Sequence, residues 1–249
     1  MILVKSNSQI ALMRKANIIV RDTLELLREH TKPGVSTLEL NRIAHEYIVS
    51  QHAVPSFLGY SGYPASICVS IDCEVVHGIP SKHKVLKEGQ IVSYDVGAIL
   101  DGWNGDAART VAVGIISPEV QRLVDVTEQC FFEGVKCIKP GVTRLGDLGH
   151  TIQQHAESNG YGVVRELVGH GIGRDMHEDP NVPNFGVAGH GMRLSPGMTI
   201  AIEPMITMGT YEVDWMSDGW TVKTKDRKPA SHYENTIAIT DNGVEILSL

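Results

Sequence analysis

The chain has 249 residues, of which 42% are apolar and 20% charged, with a net charge of −7. That composition fits a globular protein with a sizeable core, and the acidic balance excludes a global basic field for nucleic acid or an anionic membrane. The opening apolar run is too short for a signal peptide and no stretch approaches the ~20 apolar residues of a membrane span, so a cytoplasmic protein is expected. Cys68, Cys73, Cys130 and Cys137 have no C-x-x-C spacing and are expected to be reduced thiols.

Ile10, Met13, Asn17, Val20, Leu24 and Leu27 recur at steps of three and four, which predicts a helix over 8–30. Pro33-Gly34 stops it. Ser36-Thr37-Leu38-Glu39 has the form of a capping box and starts a second helix that ends near residue 52. Short β-branched or apolar runs predict strands at 66–71, 91–99 and 107–114. Ser117 as N-cap and Pro118 at the first helical position begin a third helix, which runs to Lys139 and stops at Pro140-Gly141. A fourth helix follows Thr143 and ends near Asn159-Gly160. Further strands are predicted at 163–168, 198–203 and 234–240. Long helices followed by clusters of strands indicate an α+β class, as one domain over 1–249.

The chain repeats itself faintly over about 8–115 and 117–240. Lys32-Pro33-Gly34-Val35-Ser36 returns as Lys139-Pro140-Gly141-Val142-Thr143, and His77-Gly78-Ile79 as His170-Gly171-Ile172. Leu86-x-x-Gly89 with Asp95 six residues on returns as Leu194-x-x-Gly197 with Glu203 six residues on. Each segment adds one more acid, Asp106 ahead of a strand at 107–113 and Glu234 at the start of one at 235–240. Two similar halves about a pseudo-twofold would bring both sets of polar residues to one site.

Asp95 and Glu203 sit in runs apolar enough to be buried. A buried carboxylate costs several kcal/mol unless it is paired or bound to metal. The strands carry no lysine or arginine partner, and the same placement recurs, which favours metal over an ion pair. Four carboxylates and one imidazole, His170, are a mostly hard ligand set suited to Mn, Fe, Co or Zn ions. A pair of ions can share four carboxylates and leave room for a substrate, which is the chemistry of hydrolysis. Of the eleven histidines, His30, His45, His52, His83, His150, His155, His190 and His232 are read as structural or solvated. His77, His170 and His177 stand apart. Gly169-His170-Gly171-Ile172-Gly173 is too glycine-rich for a helix and is read as a turn that presents its histidine to a cleft. His177-Glu178 opens an H-E-x-x-H pattern that Asn181 breaks, and neither a dinucleotide loop nor a nucleophile elbow is present.

Gly59-Tyr60…Gly62-Tyr63-Pro64, His77-Gly78-Ile79-Pro80, Asp95-Val96-Gly97, Gly105-Asp106, Gly169-His170-Gly171-Ile172-Gly173, His177-Glu178, Ala201-Ile202-Glu203-Pro204, Asp218-Gly219-Trp220 and Tyr233-Glu234 together resemble the type I methionine aminopeptidases in their short bacterial form, over essentially the whole chain. The resemblance implies a pita-bread fold, an antiparallel-rich sheet covered by helices. It implies removal of the initiator methionine when the second residue is small. It also implies two divalent ions (Co, Mn, Fe, Zn or Ni) on Asp95, Asp106, His170, Glu203 and Glu234. Asp106 and Glu234 would bridge them, Asp95 would bind one, and His170 with Glu203 the other. Glu203 would also shuttle a proton, while His77 and His177 would position the scissile amide and stabilise the oxyanion. Tyr60, Tyr63, Cys68, Trp220, Phe57 and Met176 match methionine-pocket positions, with Phe57 and Met176 departing from some relatives. Asp72 and Asn235 also depart and are expected beside the metal ligands. The expected partner is the amino-terminal methionine of nascent chains, with possible ribosome association, no membrane or specific nucleic acid, and a monomeric state. A proline-directed peptidase and a non-catalytic peptide-binding or ribosome-associated module are the alternatives. The first usually carries an extra amino-terminal domain, and the second loses metal ligands.

Overall fold

Capping chemistry sets where each helix starts in the computed structural model, which describes residues 2–249. α1 (Asn7–His30) opens on Ser6, whose side chain accepts from the Gln9 N–H while the Gln9 side chain accepts from the Ser6 N–H. Two donors that a helix start would orphan are thereby satisfied. α2 (Thr37–Ser50) keeps half of its predicted box: Ser36 accepts from the Glu39 N–H, but the Glu39 carboxylate pairs with Arg42 at 2.6 Å. α3 (Pro118–Cys137) uses Ser117 and Pro118 as predicted, and α4 (Leu145–Ser158) follows Arg144, whose N–H donates to Asp147.

Ahead of α3 lie β1 (Val54–Pro55), β2 (Ile67–Ile71), β3 (Glu74–Val76), β4 (Ile91–Leu100) and β5 (Trp103–Ala112). After α4 come β6 (Gly162–Val163), β7 (Gly169–Gly171), β8 (Glu178–Val182), β9 (Thr199–Ile202), β10 (Met205–Thr207), β11 (Val213–Trp215), β12 (Val222–Thr224), β13 (Ala230–His232), β14 (Glu234–Thr240) and β15 (Gly243–Ile246). One nine-stranded antiparallel sheet runs β1-β4-β5-β14-β9-β7-β8, with β2 on β4 and β15 on β14. Two small sheets, β13-β10-β6 and β11-β12-β3, complete the structure.

Three strand expectations change. The strand expected at 107–114 starts at Trp103, because Asp101 and Gly102, with φ of 53° and 76°, form a two-residue hairpin turn that joins β4 directly to β5. Asp106 is therefore inside the strand. The strand expected at 163–168 is only β6, since the chain bends at exposed Arg165 and Glu166. The segment read as a turn around His170 is strand β7, paired with β9.

Two apolar cores hold the helices on the sheet. Val20, Leu24, Leu40 and Ile48 of α1 and α2 pack with Ile67, Val92 and Tyr94. Leu123, Phe131, Leu148 and Ile152 of α3 and α4 pack with Ile200, Ile202, Ile237 and Ile239. Each such side chain contributes about 1.5–3 kcal/mol on burial. The stops after α1 and α3 are tied down alike: Gly34 N donates to Leu86 O at 2.8 Å, and Gly141 N to Leu194 O at 2.7 Å. Among the described residues no helix is long and apolar enough to cross a membrane.

Candidate metal centre and substrate cleft

Sheet register brings the five ligand-type residues to one face. Asp95 of β4 lies opposite Ala108 of β5, and Ala108 lies opposite Glu234 of β14. Asp106, two residues before Ala108, points the same way because side chains alternate with period two. Thr236, two beyond Glu234, lies opposite Ala201 of β9, which lies opposite His170 of β7. Glu203 comes two residues after Ala201 and shares that face.

The neighbouring elements fix these side chains. The backbone N–H of Asp106 donates to Asn17 Oδ1 of α1 at 3.3 Å, and its carbonyl accepts from Thr236 Oγ1 at 2.9 Å. His170 can sit in a strand that crosses close to β8 because Gly171 follows it: a Cβ there would lie 2.2 Å from the Asp179 carbonyl oxygen.

His170 Nε2 is 3.5 Å from Asp106 Oδ2 and 3.8 Å from Glu203 Oε1. One ligand atom each from Asp106, His170 and Glu234 lie within 4.8 Å of one another, and the same holds for Glu203, His232 and Glu234. Asp95 faces the same cleft outside those two groups. Among the described residues no lysine or arginine pairs with the four acids, so the ion-pair reading has no partner here. Oδ1 of Asp95, Oδ1 of Asp106 and Oε1 of Glu234 are buried with no hydrogen-bond partner. Orphaned carboxylate oxygens converging beside an imidazole are what a cation would satisfy, so the donor set fits divalent metal.

The electrostatics agree. Burial, and then the neighbouring acids, push Asp106 and Glu234 well above the ordinary carboxylate range. Burial pushes Asp95 up to about 7 and Glu203 to about 8. Burial lowers His170 to about 3, and His77 and His232 to about 4, so all three are neutral at physiological pH. Without a cation, burial and mutual repulsion push the four acids toward their protonated forms.

All thirteen predicted residues line one cleft of about 130 Å³. The acids and His170 form its floor. Tyr63 stacks edge-on against Trp220 with ring centroids 5.0 Å apart, and its hydroxyl donates to the Gly78 carbonyl at 3.0 Å. Phe57, Cys68 and Met176 are buried beside this pair in one apolar cluster. His77 lies 6.4 Å from Trp220, centroid to centroid, and adopts φ 58°, a left-handed conformation costly for a non-glycine residue. His177 is 4.2 Å from His170 by ring centroids, and its Nδ1 is 2.7 Å from the Tyr60 hydroxyl.

Two residues expected beside the ligands lie elsewhere. Asp72 sits in the turn between β2 and β3 with φ 51°, where its carboxylate accepts from Ile91 N and Gln90 Nε2. Asn235 points to the opposite face of β14, where its Oδ1 accepts from Arg109 Nη2 at 2.7 Å and Ser248 Oγ at 2.9 Å. One residue read as structural lies at the centre: His232, 1% exposed, has Nε2 3.5 Å from Glu203 Oε2.

The sequence matches the model described as Metallopeptidase family M24 over residues 11–241. A methionine aminopeptidase of Clostridium acetobutylicum is 56% identical, with 100% of this chain and 99% of that protein aligned. Methionine aminopeptidase 1 of Bacillus subtilis is 48% identical over 100% of this chain and 99% of its own length. The chain belongs to metallopeptidase family M24. Within that family it sits with the methionine aminopeptidases: the crystal structure of methionine aminopeptidase from Rickettsia prowazekii superposes with a TM-score of 0.98 at 42% identity, covering 100% of both chains. The fold is accordingly the pita-bread fold expected from the sequence, and the protein is a metal-dependent hydrolase of the M24 class.

Proposed function

We propose that this chain removes the initiator methionine from nascent proteins and peptides when the second residue is small. The observation that carries the reading is the convergence of Asp95, Asp106, His170, Glu203 and Glu234, with orphaned carboxylate oxygens, on the floor of an apolar cleft. The family's metal dependence and the relatives' name support it. We assign two divalent ions to this floor. Asp106 and Glu234 would hold both, Asp95 one of them, and His170 with Glu203 the other. When bound, such ions polarise a carbonyl and make a water nucleophilic at neutral pH.

The protein's own residues supply the rest. The wall of Tyr63, Trp220, Phe57, Cys68 and Met176 accepts an unbranched thioether side chain. Tyr60 fixes the His177 ring through Nδ1 and leaves Nε2 for the substrate. His77 and His177 hold the scissile amide and donate hydrogen bonds where negative charge develops. Glu203, on the cleft floor, would take a proton from the attacking water and return it to the leaving amine. The acidic floor favours a free α-amino group, which makes the enzyme an exopeptidase. The matching ties at Gly34 and Gly141 support the reading of one domain built from two related halves.

The test is a peptide panel with added Mn²⁺ or Co²⁺. Methionine should be released from Met-Gly-Ser, not from its N-acetyl form, and chelation should abolish release. Preferential cleavage of Xaa-Pro peptides would replace the substrate assignment, and no release with any divalent metal would remove it.

A further inference from the structure

His232 is an imidazole beside Glu203 and Glu234 that neither the five-residue set nor the substrate-contacting pair His77 and His177 includes. It ends β13, and only Tyr233 separates it from Glu234 at the start of β14, so the chain passes from one sheet to the next with both side chains close together, Nε2 3.9 Å from Glu234 Oε2. Its backbone is clamped by Thr110, whose hydroxyl accepts from the His232 N–H at 3.0 Å and donates to the His232 carbonyl at 2.9 Å. The ring is buried, and Nε2 has no hydrogen-bond partner. That nitrogen lies 3.5 Å from Glu203 Oε2 and 3.9 Å from Glu234 Oε2.

These separations are too long for hydrogen bonds, which span about 2.7–3.2 Å. They fall between the roughly 3 and 4.2 Å that separate two ligands each about 2.1 Å from a common ion. His170 approaches the other oxygen of Glu203, with Nε2 3.8 Å from Oε1. Two imidazoles therefore approach the two oxygens of one carboxylate, and the same Nε2 of each also faces a second acid: Asp106 for His170 and Glu234 for His232.

We infer that His232 Nε2 is a sixth ligand of the metal centre, sharing an ion with Glu203 and Glu234. The inference rests on the reading above that these acids hold metal. A second imidazole would shift the centre toward ions that favour nitrogen donors, Zn²⁺, Co²⁺, Ni²⁺ and Fe²⁺, relative to Mn²⁺. The competing role is a positioning one, in which His232 donates a hydrogen bond to Glu203 and never meets the ion.

The two roles part in a direct count of ligands. The full-length protein is saturated with Co²⁺, imidazole ligation is counted by X-ray absorption at the cobalt edge, and a crystal structure of the same species gives the Nε2–cobalt distance. Two imidazoles per chain and a distance of about 2.1 Å are expected. In His232→Gln the count should fall to one, and Co²⁺ affinity should fall by about 10–100-fold, with a smaller loss for Mn²⁺. Affinity alone does not separate the roles, so the count decides. A single imidazole in the unaltered protein, with Nε2 beyond about 3 Å, overturns the inference and leaves the five-residue centre standing. Cobalt absent from the acids overturns both. Should His232→Gln not fold, His232→Asn serves as the second variant, and the count and distance in the unaltered protein stand without either.

Discussion

At the scale of single residues, the candidate centre is a set of buried acids that repel one another and that a cation would join. Asp106 and Glu234 are both buried and in contact; after burial, Asp106 raises the Glu234 pKa, while their shared hydrogen bond lowers that of Asp106 against the raising charges of Asp95 and Glu203. Asp106→Asn keeps the shape and removes one charge. Its kcat/KM should fall by roughly 10³-fold or more, with fewer metal ions retained, while the metal-free protein melts no lower than the unaltered one. A lower melting point would mean that Asp106 is needed for folding rather than for metal. The pH dependence of the metal-free protein follows from the same shifts. Asp95 at about 7 and Glu203 at about 8 lie above their ordinary 3.8 and 4.5, so both bind more protons folded than unfolded. Their stabilisation is complete at low pH and is lost as pH rises through those values. The buried histidines have lowered pKa values and act oppositely, but only below their ordinary 6.5. The melting temperature of chelator-treated protein should therefore fall between about pH 6.5 and 8.5, and saturating Mn²⁺ should abolish the fall. A rise over that interval would contradict the assigned burial. Most of this site was legible because glycine and acid patterns mark it. His232 was not, because a lone histidine is usually structural. Its position two before Glu234 was the available signal, since it keeps the ring within a short reach of that carboxylate. Asn235, adjacent to Glu234, faces away by strand alternation.

At the scale of elements, α1 positions β5. Gly105 lies under α1, and an added Cβ would lie 2.7 Å from Asn17 N and 2.8 Å from the Ala16 carbonyl carbon. Backbone cannot move aside as a side chain can. Gly105→Ala should cost about 1–3 kcal/mol in denaturant unfolding and should weaken metal retention, because Asn17 accepts the Asp106 N–H. An unchanged midpoint would show that α1 can slide without consequence. The helices were legible to within two residues of their ends because serine caps and Pro-Gly stops are local signals. Strands β10 to β13 were not, since each has three residues and too few side chains to show a period. The β4–β5 hairpin was missed although Asp101-Gly102 is a strong turn signal. That omission misplaced Asp106 ahead of its strand. The arrangement of acids on one face depends on register between β4, β5, β14 and β9, a tertiary fact that no local pattern carries.

At the scale of the whole molecule, the site lies where the two helix-backed parts of the sheet join. β5 meets β14 through a short ladder, Glu234 with Ala108 and Asn235 with Ala107, reinforced by Arg109, which donates to the Glu234 carbonyl at 2.6 Å and covers the Tyr233 ring at 4.3 Å. Asp95 and Asp106 come from one side of this join; His170, Glu203 and Glu234 come from the other. An ion held by both sets would act as a tie across the join that the unfolded chain cannot form. Binding to the folded state alone adds about 2.7 kcal/mol when free metal is a hundred times Kd. That gain should be local as well as global. Amide exchange at Asp106, Ala108, Glu234 and Thr236 should slow on adding Mn²⁺ more than exchange within α3 or α4, which pack on their own core. Equal slowing everywhere would mean that metal only raises global stability. No slowing at the β5–β14 ladder would mean that the acids on its two sides do not share a cation, and the bridging roles of Asp106 and Glu234 would fall with it.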